Sequence, residues 1–468
     1  MRDRPPLPGT PLGDPPPAGS RTAPTRRALL RAAGALGATA AAGGALSGCG
    51  TAIGQGFTGD SGPASLLNFW NPFTGGDGAR MVEMERDYRK RHPDVDLKAT
   101  TFVWGDPYYT KLTLATLGDR PPQVAITHLS KIPTLAGAGL LREIGDDELA
   151  AHGMGADRFD QRAWRKAHYD GALRAIPLDT HPFVLYVRTD IAKKAGLTGS
   201  GGELADVDGP EQFLDALRAA KEVTGAWGCS IASTKDPSTC FRLFWSLYRQ
   251  LGGRLLADEG AKVVIDMEAA GEAFAYIRRL TQEKLVPTGV DSPGAITLLT
   301  SGQAGFLLDG VWQILAVQDS KVAFDMLPFP RIFRDAPYAC HADSHGLVLP
   351  KAPSPDAQRA DRSLEFIRSL LDASDAWAGG GHIPAWLPTQ ESEAYRKLEP
   401  QAHYAAASDG AAYDPGAWYS GAGSSLHNRL GDVCASVLGG RTTPTRGPLE
   451  CVRNFGNWRP HPRRCNCV

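Results

Sequence analysis

One stretch limits what this chain can fold into: Arg174-Ala175-Ile176-Pro177-Leu178-Asp179-Thr180-His181-Pro182-Phe183-Val184-Leu185-Tyr186-Val187-Arg188-Thr189-Asp190. Its ends are apolar and its middle is polar. Phe183, Leu185 and Val187 alternate with their neighbours, the period of a strand. Pro177 and Pro182 keep the backbone extended and limit its freedom. The pattern predicts a short extended segment, an exposed polar break and a second strand, which suits a passage between two lobes. A chain of 468 residues, 42% hydrophobic and 22% charged, has the balance of a globular protein and enough length for two such bodies.

The flanking sequence supplies the material for them. Leu66, Leu67 and Phe69 open a strand that ends at Trp70-Asn71. The glycine-rich loop Thr74-Gly75-Gly76-Asp77-Gly78 follows, then a helix with Met81, Met84 and Tyr88 on one face, stopped by His92-Pro93. Val95 and Leu97 begin the next strand, completing a strand–helix–strand unit of the open α/β kind. The loop lacks a Lys-Ser/Thr and the spaced glycines of a nucleotide fingerprint, so it reads as a turn whose amides face a cleft. Further helices are predicted over 108–117, from Pro210 with Phe213, Leu214 and Leu217 inward, over 241–251, and around Phe274, Ile277 and Leu280. Buried strands are predicted at 123–126, 303–308 and 345–349, and Gly379–Ala385 reads as a loop.

The N-terminus carries a separate signal. Residues 1–24 are rich in Pro and Gly, and Arg26-Arg27 precedes a weakly apolar run that ends in Leu46-Ser47-Gly48-Cys49. The paired arginines resemble a twin-arginine export signal, and the last four residues resemble a bacterial lipobox with Cys49 as the lipidated first residue of the mature chain. Residues 50–64 read as a flexible tether. Residues 1–48 hold six Arg and two Asp, so their removal takes the net charge from −1 to −5. No basic stripe with interleaved aromatics is present, which argues against a nucleic-acid partner. Export would place the other seven of the eight cysteines in an oxidising setting. Cys229 and Cys240, flanking a Ser/Thr/Asp/Pro loop, are the first candidate disulfide, with Cys434 and Cys451 second. His341-Ala342-Asp343-Ser344-His345 has a metal-like spacing but no clear third ligand.

Taken in order, these pieces resemble the extracellular solute-binding proteins of bacterial ABC importers, the maltose-binding-like (family 1) group. The resemblance spans about residues 66–445 and rests on several segments. These are the Trp70 strand with its loop and helix to His92-Pro93, Trp104 with Tyr108-Tyr109, Pro121-Pro122-Gln123-Val124, and Ala175-Ile176-Pro177 with Leu185-Tyr186-Val187-Arg188. The segment from Ala304 to Trp312, ending in Gly-x-Trp, and the loop Gly380-Gly381-His382-Ile383-Pro384 complete it. It implies an α/β, two-lobed, type II periplasmic-binding-protein-like fold with a multi-strand hinge and an interlobe ligand cleft. One lobe would span 66–178, with 346–395 returning to it, and the other 182–343, with 400–445. It also implies a monomer that captures a mono- or oligosaccharide or a polyol, without a cofactor or resident metal, and docks on a membrane permease. At 446–468 the chain departs from the family. Arg446-Gly447-Pro448 interrupts the expected terminal helix, and disorder is expected.

Sugars present an apolar C–H face and a rim of hydroxyls, which call for aromatic planes and charged hydrogen-bonding groups. Open α/β sheets bind ligands at the carboxyl ends of their strands. That rule selects Trp70, Thr74, Asp77, Trp104, His128, Asp179, Thr180, His181, Asp309, Trp312 and Gly380, with Trp418 as a further aromatic. Trp245, in an aromatic helix, is expected in the core. Two other readings compete: a secreted glycan hydrolase, and a receptor of the same fold that feeds a sensor. The sequence holds no Gly-x-Ser-x-Gly elbow, and no carboxylate pair is suggested by local context.

Overall fold

The computed structural model describes Pro63 and residues 65–354 and 356–456. The leader, Cys49 and the segment after Gly456 lie outside the described residues. Two mixed sheets organise the rest. The first runs in the order Asp96–Thr101, Leu66–Asn71, Val124–His128, His345–Val348, Ile176–Pro177. Its first three strands are parallel, and His345–Val348 lies antiparallel to both of its neighbours. The second runs in the order Ala411–Ala412, Cys340–Asp343, Asp179–Arg188, Ala304–Gly310, Trp227–Ser230, with Phe324–Pro328 and Ile383–Pro384 also paired to Asp179–Arg188.

Each sheet has its own core. The helix Gly75–Arg91 buries Met81, Met84, Glu85 and Tyr88, the spacing of one helical face. Tyr88 and Phe69 both meet the edge of Phe366 on the helix Ala357–Asp372, at centroid distances of 4.8 and 5.1 Å. On the second sheet, the helix Ser238–Gln250 is buried along its whole length except Arg249, so it is apolar or satisfied on every side. Trp245 stacks on Phe241 in this core, as expected from its place in an aromatic helix. Among the described residues no helix is long and apolar enough to cross a membrane.

The chain passes between the sheets at two adjacent points. Pro177 ends in the first sheet and Asp179 begins in the second, with only Leu178 between them. Asp343 ends in the second and His345 begins in the first, with only Ser344 between them. The crossings are bonded to each other. The Leu178 amide donates to the His345 carbonyl at 2.8 Å, and the Thr180 and Ser344 hydroxyls lie 3.1 Å apart. Beside them the Asp343 carboxylate accepts from the Ser130 amide at 3.1 Å and from the Ser130 hydroxyl. The expected exposed break at Asp179-Thr180-His181 is therefore corrected. All three are buried, inside one unbroken ten-residue strand. Their polarity is matched by partners from 343–345 and 382–384, so burial leaves no groups stranded.

Two further expectations change. Cys229, Cys240, Cys340, Cys434 and Cys451 are all buried free thiols, so neither Cys229–Cys240 nor Cys434–Cys451 is a disulfide. The Cys229 thiol faces the Ser230 carbonyl at 3.3 Å, and burial pushes its pKa up to about 12. The neighbour of Cys240 is instead Cys434, whose pKa burial and the Cys240 thiol raise well above the ordinary thiol value. The tail also differs. Gly447–Gly456 is a helix, with Pro448 in its first turn, where a missing N–H costs nothing. It places Cys451 and Phe455 in the second core.

Candidate functional site

A cavity of about 320 Å³ lies where the two sheets meet. Its wall from the first sheet is Pro72 to Asp77, Trp104, His128 and His345. Its wall from the second is His181, Asp236, Arg242, Trp312 and Gln313, and His382 closes the floor. The volume falls at the low end of the range for small-molecule sites.

Local backbone rules place these groups. The strand Leu66–Asn71 ends at the loop that opens the helix Gly75–Arg91, so Thr74 to Gly76 deliver backbone to the cleft. A side chain at Gly76 would stand 2.8 Å from Leu315, which explains the glycine. At Gly310 the constraint is tighter: a Cβ there would lie 2.0 Å from the Trp312 ring. The glycine of Gly-x-Trp lets the indole fold back over the strand end. The Arg242 guanidinium covers the Trp312 ring at 4.7 Å, a cation–π contact. Trp104 is the aromatic left open, 38% exposed with its edge toward His128 at 6.2 Å.

The floor is built around Asp179, which is fully buried. It accepts from the Trp377 indole N–H at 2.6 Å and the His345 amide at 2.9 Å. His181 Nδ1 stands 2.9 Å from Oδ1, and His345 Nδ1 2.7 Å from Oδ2. Burial disfavours the Asp179 charge, but His345, His382 and His181 together hold its pKa well below the ordinary carboxylate value. His382 lies between two carboxylates, 3.0 Å from Asp77 and 3.2 Å from Asp179. Burial disfavours its charge too, yet Asp77 and Asp179 raise its pKa to about 10, so it is a cation at neutral pH. Burial lowers the pKa values of His181 and His345 against the pull of Asp179. His128 is lowered well below the usual range by burial and by the two neighbouring histidines, and its Nδ1 is 2.6 Å from the Tyr109 hydroxyl. At the wall, Asp309 is buried and has its pKa raised to about 7 by desolvation, against the effects of the Gly310 amide and Arg242.

Of the residues selected from sequence, Thr74, Asp77, Trp104, His128, His181 and Trp312 line the cavity together. Asp179 and Thr180 stand behind the histidines, Asp179 as their common acceptor and Thr180 on Ser344. Trp70 is fully buried in the first core beneath Phe102. Gly380 packs against Arg80 and Trp377, and Asp309 lies behind the wall. Trp418 is exposed away from the cavity, its carbonyl accepting from Thr134. Sequence reasoning did not select Phe73, Asp236, Arg242, Gln313, His345 or His382. His341-Ala342-Asp343-Ser344-His345 does not converge either: His341 turns to Asp414 and His345 to Asp179.

A cavity between two α/β lobes, lined by aromatic, acidic, basic and imidazole groups from strand ends, loops and a helix, has the make-up of a solute-binding cleft. The profile of the bacterial extracellular solute-binding protein family matches residues 83–398, and the chain belongs to that family. Its members are extracellular solute-binding proteins. A maltooligosaccharide ABC transporter solute-binding lipoprotein of Streptococcus pneumoniae is 22% identical over 289 residues, 59% of this chain and 62% of the relative. The chain thus matches less than two thirds of that relative's length. Solved structures with the same fold include the GacH receptor of Streptomyces glaucescens, with a TM-score of 0.69 and 21% identity over 84% of this chain and 97% of that one. Maltose-bound MalE3 of T. maritima has a TM-score of 0.70 and 16% identity over 84% and 99%. UgpB of Mycobacterium tuberculosis, in complex with glycerophosphocholine, has a TM-score of 0.70 and 15% identity over 85% and 98%.

Proposed function

We propose that this protein is the extracytoplasmic, lipid-anchored receptor of an ABC importer, and that it captures a carbohydrate of one or a few rings and hands it to a membrane permease. The observation that carries the reading is the cleft itself. An open indole, Trp104, lines the same cavity of about 320 Å³ as Asp77, Asp236, Arg242 and Gln313, an apolar plane together with hydrogen-bonding groups. A sugar has the same two-sided chemistry. The names of the Streptococcus pneumoniae lipoprotein and of maltose-bound MalE3 support the choice of carbohydrate. The leader ending at Cys49 supports the anchor, which two acyl chains would make firm. The lobes close on the solute by flexing the paired crossings at Leu178 and Ser344.

The test is a thermal-shift screen of the purified protein against mono- and oligosaccharides, polyols, glycerophosphodiesters and amino acids, followed by calorimetry on the hits. The expected result is a melting shift with one sugar class, 1:1 binding and recovery of the intact sugar. Shifts confined to amino acids or phosphodiesters, or cleavage of the bound glycan, would overturn it.

A further inference from the structure

Among the described residues two arginines are buried to the same degree, Arg188 at 9% exposed and Arg242 at 8%, and their surroundings differ. The Arg188 guanidinium is engaged on every side. Its Nε and Nη2 donate to the two oxygens of Asp190 at 2.9 Å each, and its Nη1 donates to the Leu299 carbonyl at 2.8 Å. The Arg242 guanidinium lies over the Trp312 ring, and its Nε is buried without a hydrogen-bond partner. Among the described residues no carboxylate comes within ion-pair distance of it. Its side chain lines the cleft.

A buried cation is costly unless it is paired. We infer that the captured carbohydrate is acidic, and that Arg242 binds its carboxylate or phosphate group in the cleft; this rests on the receptor reading above. The wall around it adds donors. Gly75, Gly76 and Asp77 line the same cavity and form the first turn of the 17-residue helix Gly75–Arg91. First-turn amides have no intrahelical partner, and no Thr74 side-chain bond caps them. They present the positive end of the helix dipole, which favours an anion. Space is open beside them, since a Cβ on Gly75 would meet nothing within 4 Å.

The acidic groups of the site are committed elsewhere. Asp77 stands 3.0 Å from His382. Asp236 Oδ1 accepts from the Ser238 amide at 2.9 Å and from the Ser238 hydroxyl, at the start of the helix that carries Arg242. Asp179 is taken up by His181, His345 and the Trp377 indole. A guanidinium fork matches a carboxylate or a phosphate with two parallel bonds. A neutral hydroxyl in the same place leaves the charge unpaired, so the site discriminates against the neutral parent of its ligand.

The test is calorimetry on the full-length chain with matched sugars: D-glucose, D-glucuronate and D-glucose 6-phosphate, D-galactose and D-galacturonate, maltose and maltobionate. Acetate and inorganic phosphate alone serve as bare anions. The expected result is that an acidic sugar binds about 10- to 100-fold more tightly than its neutral parent and than the bare anion. The uronate and phosphate arms tell which anion is held. That ratio should fall toward one in Arg242→Met, and Arg242→Lys, which keeps the charge without the fork, should restore only part of it. Ligand-free Arg242→Met should melt at or above the wild-type temperature, because it removes a buried charge that no ion pair holds. Should Arg242→Met fail to fold, Arg242→Lys still reads the ratio. Tighter binding of the neutral parents, or an unchanged ratio in a folded variant, overturns the inference and leaves the receptor reading standing. If no sugar binds, both fall.

Discussion

Asp179 and Asp414 are two buried carboxylates, each faced by histidines, and they differ in what lies beyond the ring. Around Asp179 the histidines are the cavity wall. Around Asp414, His341 Nε2 stands at 3.0 Å and His427 Nδ1 at 3.4 Å, all three residues are sealed, and His427 lies against Phe241. Burial disfavours both carboxylate charges, and the histidines overcome it in both. The same chemistry thus lines a cavity in one region and serves packing in the other. Access to the cleft, and not the presence of an Asp–His set, marks function.

The largest expected effects come from removing the carboxylates. Asp179→Ala and Asp414→Ala each strand buried imidazoles and should cost about 3–5 kcal/mol of stability in urea unfolding. Only Asp179→Ala should also abolish solute binding by calorimetry. Equal loss of binding in both variants would erase the distinction. Next, Trp104→Ala and Trp312→Ala should each weaken sugar binding by about 1–3 kcal/mol with little change in melting. No change for Trp312 would assign it to supporting Arg242 alone. Gly310→Ala should displace the Trp312 indole and weaken binding by about 1 kcal/mol, again read by calorimetry, because small overpacking shifts cost that order.

The effects of pH have opposite signs in the two clusters. His382 has a pKa raised to about 10, so its contribution is fully present below the ordinary value of 6.5 and is lost as pH rises toward 10. Burial lowers the His341 pKa to about 4 despite Asp414, so its contribution is present above 6.5 and is lost as pH falls toward 4. Melting curves should flatten on the alkaline side in His382→Gln and on the acid side in His341→Gln. A shared dependence in the two variants would show that the clusters titrate as one.

The lobes were legible because their signals are local. Period-two apolar runs, the glycine loop and helical faces such as Met81, Met84 and Tyr88 lie within a few residues of one another. The crossing at 174–190 was legible for the same reason. The site was legible only where a residue sat at a recognisable strand end, as His128 and Trp312 do. Arg242 lies within an apolar helix, and His345 and Trp377 reach Asp179 across 166 and 198 residues, so no local pattern carries them. The burial of Asp179-Thr180-His181 was hidden because polarity reads as exposure until the distant partner is known. Sequence proximity also misdirected the cysteines, since Cys240 meets Cys434 from a far helix.

Those cysteines carry a consequence for biogenesis. Five thiols sit inside the described fold without a cross-link, each shielded from reagents in solution. Both cores close by packing alone, so reductant should leave the main melting transition unmoved. Maturation of this domain is thereby decoupled from thiol oxidation, on either side of a membrane.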